Sequence, residues 1–222
     1  MNITFLGHAC FELAGSKKVL IDPFISESPV APKVEPKPDI IAITHAHADH
    51  VGDAIMLAKQ QRCKVVSIHE VSEYLETQGI ECEGMNKGGS VTIDGIRFTM
   101  TEAVHSSSIK GYDGGCAAGF VIKDNISVYH AGDTALFGDM HLIGELYRPE
   151  VALLPIGDRY TMGIREAAIA TSWIHPKVVI PMHYSSFPII EQSPKKFAEL
   201  VSSLCDTEVV ILKPGESFEY KL

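Results

Sequence analysis

The chain has 222 residues, of which 45% are apolar, and this is enough to bury a substantial core in one domain. Charged residues make up 21%, which argues against disorder, and the net charge of −9 opposes binding to a nucleic-acid backbone. Five scattered cysteines without a CxxC pair are typical of reduced thiols in a cytoplasmic protein. We find no signal peptide and no apolar run of transmembrane length, so we expect no membrane partner.

The first part of the chain predicts short strands, followed by strands that alternate with helices. Apolar, β-branched runs predict strands over residues 2–7, 10–14, 17–24, 40–44 and 63–69. Helical spacing of apolar residues predicts helices over residues 53–61 and 70–79. The proline-rich segment 28–39 must be a loop, because proline fixes φ and lacks a backbone donor.

The second part begins with two predicted hairpins. One spans residues 90–103 and turns at Asp94-Gly95, and the other spans residues 116–133 and turns at 123–125. Helices are then predicted over 139–147, 164–174 and 194–202, and strands over 151–156 and 177–183. This order favours an α/β chain with two sheets packed in a single domain over residues 1–222.

The segment ITHAHADH, residues 43–50, holds three histidines and an aspartate directly after a buried strand. His45 and His47 are one residue apart, so their rings point to one side of an extended segment. Asp49 and His50 come where the chain turns towards a helix, so they point elsewhere. Imidazole and carboxylate suit divalent metals such as zinc, and two directions from one loop favour two adjacent ions.

Further ligands are then expected at other strand ends, and three residues meet that expectation. His105, Asp133 and His183 each follow a predicted strand. A single histidine is more often a structural or surface residue, but independent histidines have no reason to recur at strand ends with an acidic partner. The set therefore predicts a metal site.

These residues also carry a resemblance to a known family. The segment THAHADH, followed in order by His105, AGDT and PMHY, resembles the metallo-β-lactamase superfamily. The segments ITFLGHACFEL, KVLIDPF and LLPIGDRYTMG are similar to its branch of small metal-dependent hydrolases related to ascorbate-6-phosphate lactonase.

The resemblance implies a four-layer αββα sandwich of two mixed β-sheets. It implies a first metal ion held by three histidines, a second held by an aspartate and two histidines, and one bridging aspartate. The first ion would be held by His45, His47 and His105, and the second by Asp49, His50 and His183. Asp133 would bridge the two ions.

Departures from other branches narrow the implied activity. The HxHxDH loop is intact, as in hydrolytic members and unlike flavodiiron-type members. Asp133 stands where the β-lactamases proper carry a cysteine or another residue, which argues against antibiotic hydrolysis as the main task. The chain has no basic arm of the kind that RNA-processing members add.

The ligand set predicts a hydrolase. Two divalent ions this close share a water whose pKa falls from about 15.7 towards about 7. The resulting bridging hydroxide would attack the carbonyl or phosphoryl centre of a lactone, ester or phosphoester. Asp49 is the candidate catalytic residue, because it can bind metal and also pass a proton. We expect two divalent ions, zinc first, with manganese, nickel or iron as alternatives.

Other functions remain open at this stage. They are a di-iron redox protein on the same fold, a nuclease-type phosphodiesterase and a non-catalytic metal-binding protein. A redox protein would want a flavin partner or domain, which the sequence does not encode, and a structural site is usually closed and rich in cysteine. The expected partner is a small-molecule substrate, with no nucleic acid; a homo-oligomer is left open.

Residues beyond the ligands are candidates for contacting the substrate or for orienting the ligand histidines. His8 and Thr161 are candidate substrate contacts, although Thr161, placed at the start of a helix, also fits an ordinary N-cap. Asp22 and Thr134 are candidates to orient ligand histidines, and Asp22 fits a turn before proline equally well. Loops are expected to supply the pocket, in particular residues 26–39 and 109–115.

Overall fold

The computed structural model describes residues 1–109 and 112–221 of the chain. Its strands, in chain order, are β1 (Asn2–Gly7), β2 (Cys10–Ala14), β3 (Lys18–Ile21), β4 (Ile40–Ala42), β5 (Lys64–Ile68), β6 (Cys82–Met85), β7 (Ser90–Ile93), β8 (Ile96–Glu102), β9 (Ser108–Ile109), β10 (Tyr112–Asp113), β11 (Ala118–Lys123), β12 (Ser127–His130), β13 (Val151–Pro155), β14 (Val178–Met182), β15 (Glu208–Val209) and β16 (Ser217–Glu219). The α-helices are α1 (Ala48–Val51), α2 (Ala54–Gln61), α3 (His69–Thr77), α4 (Met140–Tyr147), α5 (Ile164–Ile174) and α6 (Pro194–Leu204), and a short 3-10 helix spans Pro188–Ile190.

Most strands belong to two sheets, each antiparallel on one side and parallel on the other. The first sheet runs in the order β16-β1-β2-β3-β4-β5-β6, and β3 to β6 are parallel. The second runs in the order β15-β14-β13-β12-β11-β8-β7, and β12 to β15 are parallel. Strands β9 and β10 pair separately. Two mixed sheets with flanking helices confirm the predicted four-layer αββα sandwich.

Apolar residues explain this layering. One buried cluster joins the two sheets, with Phe11 and Ile41 from the first and Phe98 and Phe120 from the second. Helices α2 and α3 pack on the outer face of the first sheet, mainly against β5 and β6. A separate buried cluster joins α4, α5 and α6 to the outer face of the second sheet.

Strands β3 and β4 are shorter than predicted, and the reason is polar chemistry at their ends. Asp22 leaves β3 with φ +45°, and Pro23 follows it. Beyond β4, the Thr44 backbone N–H donates to Asp22 Oδ1 at 2.8 Å instead of extending the strand ladder. The strand ends are therefore fixed by a side chain that belongs to the functional site.

Two further differences from the prediction concern β6 and Thr161. Strand β6 was not predicted: its residues CEGM have weak strand propensity, and pairing with β5 makes them a strand. Helix α5 begins at Ile164, so Thr161 lies in the preceding turn and does not start the helix. Both hairpins are confirmed, the first with Asp94 and Gly95 at φ +49° and +87° in its turn.

Backbone hydrogen bonds tie the two sheets together at the edge where the polar residues lie. The Ala118 N–H donates to Thr44 O at 3.1 Å, and the His183 N–H donates to His8 O at 2.7 Å. The carboxyl ends of the parallel strands from both sheets therefore meet at one cleft.

Candidate metal centre

Three histidines form the first cluster of the cleft. His45 and His47 follow β4, and His105 follows β8 of the other sheet. His45 Nε2 lies 2.9 Å from His47 Nδ1, and the three side chains bring nitrogen atoms within 4.8 Å of one another. Three imidazoles at this separation can hold one divalent ion.

A second cluster lies beside the first, and four residues contribute to it. Ligand atoms of His8, Asp49, His50 and His183 lie within 4.8 Å of one another. Asp49 and His50 lie in the short helix α1, so they project in a different direction from the extended residues before it. Ligand atoms of His45, His50 and Asp133 also lie within 4.8 Å of one another, so the two sets adjoin, and their assignment to two ions stays a prediction.

Asp133 lies between the clusters. Its Oδ2 is 3.6 Å from His105 Nε2 of the first cluster. The same oxygen is 3.4 Å from His50 Nε2 and 3.0 Å from His183 Nε2 of the second. One carboxylate oxygen thus faces ligand atoms from both clusters.

Asp22 orients His50 through the ring nitrogen Nδ1. Its Oδ2 lies 2.8 Å from His50 Nδ1 and accepts from Thr44 Oγ1 at 2.7 Å, and Asp22 and His50 are fully buried. This contact turns His50 Nε2 towards Asp133. Of the two interpretations of Asp22, the one in which it orients a ligand histidine agrees with the geometry.

His8 is held inside the second cluster and is only 1% exposed. Its Nε2 lies 3.0 Å from Asp49 Oδ2, and its Nδ1 lies 2.6 Å from Ser186 Oγ. The backbone of His8 has φ +57°, a left-handed conformation that is uncommon for residues other than glycine. The predicted contact of His8 with substrate stays a prediction; in the structure both ring nitrogens already face protein groups.

Thr134 and His130 act on the backbone rather than on ligand rings. Thr134 Oγ1 accepts from the Val104 N–H at 2.9 Å, next to His105. Buried His130 lies with Nε2 2.9 Å from Ala9 O, and its Nδ1 accepts from the Gly132 N–H at 3.1 Å. These contacts fix the segments that carry His105, His8 and Asp133.

The remaining candidates lie outside the clusters. Thr161 is half-buried, its side chain bonds only to Met162 O at 3.4 Å among the described residues, and its substrate contact stays a prediction. The remaining three histidines of the chain lie on the surface; they are His69, His141 and His175.

Burial and charge decide the protonation of the cluster. Burial lowers the pKa of His45 and of His105, and it lowers the pKa of His8 to about 4. Burial alone would also lower the pKa of His50, but the Asp133 and Asp22 carboxylates outweigh it and raise that pKa well above its ordinary value. Without metal, His50 therefore carries a proton between two carboxylates.

The carboxylates stay ionised for the complementary reason. Burial alone would raise the pKa of Asp133, but the charges of His183 and His50 lower it well below its ordinary value. For Asp49, burial is likewise outweighed, by the hydrogen bond from His8 and the charges of His50 and His8, so its pKa is lowered.

Several buried polar atoms of the cleft have no hydrogen-bond partner within the described part of the chain. They are His50 Nε2, His183 Nδ1, His183 Nε2 and Asp133 Oδ1; the two Nε2 atoms lie 3.4 and 3.0 Å from Asp133 Oδ2 but without the geometry of a hydrogen bond. Buried polar atoms are normally satisfied, and unpaired atoms need an explanation. Imidazole nitrogen and carboxylate oxygen suit divalent first-row metals, so this donor set fits a metal centre.

A cavity of about 320 Å³ adjoins the first cluster, and we call it the His47 cavity. It is lined by Phe24, Ser26, Glu27, Ala46, His47, Ala48, Val51, Gly52, Asp53, Ile55, Tyr74 and Ser108. Two of these residues come from the loop 26–39, which was expected to supply the pocket. In the second expected loop, 109–115, residues 110 and 111 lie outside the described residues.

Sequence reasoning did not find Ser186 or most of the cavity wall. Ser186 lies three residues after His183, and no spacing rule marks it as a partner of His8. Ile55 and Tyr74 occupy apolar positions of helices α2 and α3, which explains why they gave no functional signal.

Among the described residues, no helix combines the length and apolar character that crossing a bilayer requires.

Comparison with known proteins gives consistent matches. A model described as "Beta-lactamase superfamily domain" matches residues 17–184. A UPF0173 metal-dependent hydrolase of Methanosarcina barkeri is 54% identical over 99% of this chain and 98% of its own length. Another, of Archaeoglobus fulgidus, is 50% identical over 99% of each chain. The solved structure of Igni18, a metallo hydrolase of Ignicoccus hospitalis, superposes with a TM-score of 0.91 at 42% identity over 99% of each chain.

Proposed function

Because the chain belongs to the UPF0173 family of metal-dependent hydrolases within the beta-lactamase superfamily, we propose that two divalent ions in this cleft activate water for attack on a small molecule. The attacked centre is a carbonyl or phosphoryl group of a lactone, ester or phosphoester. The observation that carries the proposal is the position of Asp133 Oδ2, within 3.0–3.6 Å of nitrogen atoms from both clusters.

The proposed ligands follow the two clusters. His45, His47 and His105 would hold the first ion, Asp49, His50 and His183 would hold the second, and Asp133, which faces both sets, would serve both. Zinc is the first candidate, and manganese, nickel and iron suit the same nitrogen and oxygen donors. Divalent ions held there would supply Lewis-acid chemistry and would lower the pKa of water from about 15.7 towards about 7.

Asp49 is the proposed proton-transfer residue. Its side chain is 36% exposed, whereas His50 is fully buried and Asp133 is 3% exposed, so Asp49 is the more accessible carboxylate of the cleft. Its Oδ2 lies 3.0 Å from His8 Nε2, and the two carboxylate oxygens together would bind the second ion and exchange a proton with water or with the leaving group. His8 acts here as a positioning residue that holds the Asp49 carboxylate.

The five cysteines are all free thiols, which supports the cytoplasmic location as part of this proposal. The location itself and a homo-oligomeric state stay predictions.

The test is to remove bound metal with a chelator and reload the protein with zinc, manganese, nickel or iron(II). Each form is assayed against lactones, acyl esters, thioesters and phosphodiesters. We expect hydrolysis to require two equivalents of metal and to disappear in His47→Ala. His141→Ala, an exposed histidine on α4, is the matched control and keeps full activity.

Three results would contradict the proposal. They are an unchanged rate in the metal-free protein, no hydrolysis of any substrate by the loaded protein, and oxygen consumption by the iron form without hydrolysis. For Asp49, a fully active Asp49→Asn variant that still binds both ions would exclude the proton-transfer role.

A further inference from the structure

The His47 cavity shares a wall with the proposed metal centre. Its floor includes His47 itself, with Ala46 and Ala48 on either side of it in the chain. A volume of about 320 Å³ lies within the range of small-molecule sites. A substrate whose reacting group sits at the clusters therefore has room to extend into this cavity.

The larger side chains of the cavity wall are apolar. Phe24 and Val51 are 7% and 6% exposed, so both are fixed by packing, and Ile55 and Tyr74 pack partly against the core. The aromatic rings and aliphatic groups of these side chains offer a preformed apolar surface, and the Tyr74 hydroxyl is the polar group among them.

The apolar surface continues from the cavity towards the second cluster. The ring centroids of Phe24 and His8 are 5.7 Å apart, and the Phe187 ring lies 6.5 Å from Phe24 and 5.7 Å from His8. Phe187 is 37% exposed, so it presents an aromatic face at the rim of the cleft. A chain attached to the reacting group thus meets apolar side chains on leaving the clusters.

The charged groups of the cavity are carboxylates. Glu27 is exposed at the wall, and Asp53 accepts from the backbone N–H groups of Ser26 at 2.8 Å and Ile25 at 3.1 Å. No lysine or arginine is present among the described lining residues. Anionic groups at the far end of a substrate are usually held by such cations, so the described part of this wall disfavours a remote phosphoryl group or carboxylate.

We propose that the His47 cavity binds the uncharged aliphatic part of a carboxylic ester or lactone. The inference rests on the proposed function, since the clusters must hold the carbonyl group that the chain follows. It narrows the substrate class to neutral acyl compounds and places their selection in residues that are not metal ligands.

The main test compares two esters that differ only at the far end of the acyl chain, where one has a methyl group and the other a carboxylate. They are p-nitrophenyl hexanoate and the mono-p-nitrophenyl ester of adipic acid, which carries a terminal carboxylate. We expect the wild type to prefer hexanoate by at least tenfold in kcat/KM. We also expect hexanoate to exceed p-nitrophenyl acetate, because each buried methylene contributes about fourfold.

A positive charge placed in the cavity should weaken the preference for hexanoate over the adipate monoester. Ile55→Lys should lower the ratio of hexanoate to adipate monoester at least tenfold. Met56→Lys is the matched control: it makes the same charge change at the next position of α2, where Met56 is 46% exposed and does not line the cavity. Its ratio should stay within twofold of wild type, and metal content should be equal in all three proteins. An unselective wild type, or an equal shift in both variants, would overturn the inference.

Binding without turnover separates this inference from the proposed function. Saturation-transfer NMR with hexanamide should show binding to metal-loaded wild type and loss of binding in Ile55→Trp, which fills the cavity. If hexanamide binds in this way and no ester is hydrolysed, the proposed function fails and the cavity assignment stands. If esters are hydrolysed without dependence on chain length and hexanamide does not bind, the cavity assignment fails and the proposed function stands.

Discussion

The two halves of the metal centre differ in how the fold supports them. In the second half, His50 is fully buried and is held by Asp22, while Asp49 is held by His8 and, through it, by Ser186. In the first half, His47 is half-buried and borders the cavity, and the His105 side chain is 13% exposed.

This difference indicates that the two halves have different roles. Buried outer contacts fix the geometry and tautomer of ligands, and their loss weakens metal binding even though they touch no ion. In the second half such contacts reach His50 and Asp49; in the first half Thr44 Oγ1 lies 3.1 Å from Nδ1 of buried His45, while His47 and His105 lie beside the cavity and solvent. We therefore expect the second half to depend on its surroundings and the first half to face the substrate.

The largest effect is expected where the two halves meet. Asp133→Ala removes the oxygen that faces both clusters, so both ions should bind weakly and kcat/KM should fall by more than about 100-fold, beyond the loss typical of outer contacts. Metal analysis and steady-state kinetics measure the two effects. Asp139→Ala, at the start of α4, is the control because its side chain makes no cap hydrogen bond. An Asp133→Ala protein with two tightly bound ions would show that the halves are not joined there.

A smaller and one-sided effect is expected at Asp22. Asp22→Asn weakens the contact with His50, so affinity for the second ion should fall about 10- to 100-fold while the first ion stays bound. Titration against a chelator of known affinity separates the two binding steps. Asp39→Asn, at the other end of β4, should leave both steps unchanged. Equal weakening of the two steps would remove the distinction between the halves.

A still smaller effect is expected at Ser186. Ser186→Ala removes the group beside His8 Nδ1, and loss of one buried hydrogen bond costs about 1 kcal/mol, or about fivefold in affinity for the second ion. The same chelator titration applies, with exposed Ser203→Ala as the control. If Ser186→Ala binds the second ion as wild type does, Asp49 does not need His8 fixed in place.

The pH dependence should follow the protons that metal displaces. The raised pKa of His50 gives the metal-free protein a stabilising contribution that is present below the unfolded pKa and is lost as pH rises through the folded value. Metal binding requires neutral imidazole, so stabilisation by metal grows as pH rises from the ordinary histidine pKa of about 6.5 towards the raised pKa of His50. The increase in melting temperature caused by excess zinc should therefore be larger at pH 7.5 than at pH 5.5. An increase that is the same at both pH values would contradict displacement of protons by metal.

The parts of this account that sequence could predict have local causes. The HxHxDH spacing separates the two directions of the loop, and the ends of apolar strands mark His105, Asp133 and His183. Asp22 stayed ambiguous, because a residue before proline fits a turn as well as a ligand partner.

The parts that sequence could not predict depend on tertiary contacts. Strand β6 forms because β5 offers it a partner, and Ser186 matters because the His8 ring reaches it across 178 positions. The cavity wall combines residues from α2, α3 and the loop after β3, which are ordinary apolar positions within each element. Helix α5 begins at Ile164, as the apolar spacing predicts; only the placement of Thr161 at a helix start was wrong, because the N-cap is Gly163, which has no side chain.

The most direct test of the central claim is anomalous scattering from a crystal of the protein soaked in zinc. We expect two zinc peaks, one among His45, His47 and His105 and one among Asp49, His50 and His183, with Asp133 contacting both. A single peak, or zinc bound away from these residues, would contradict it.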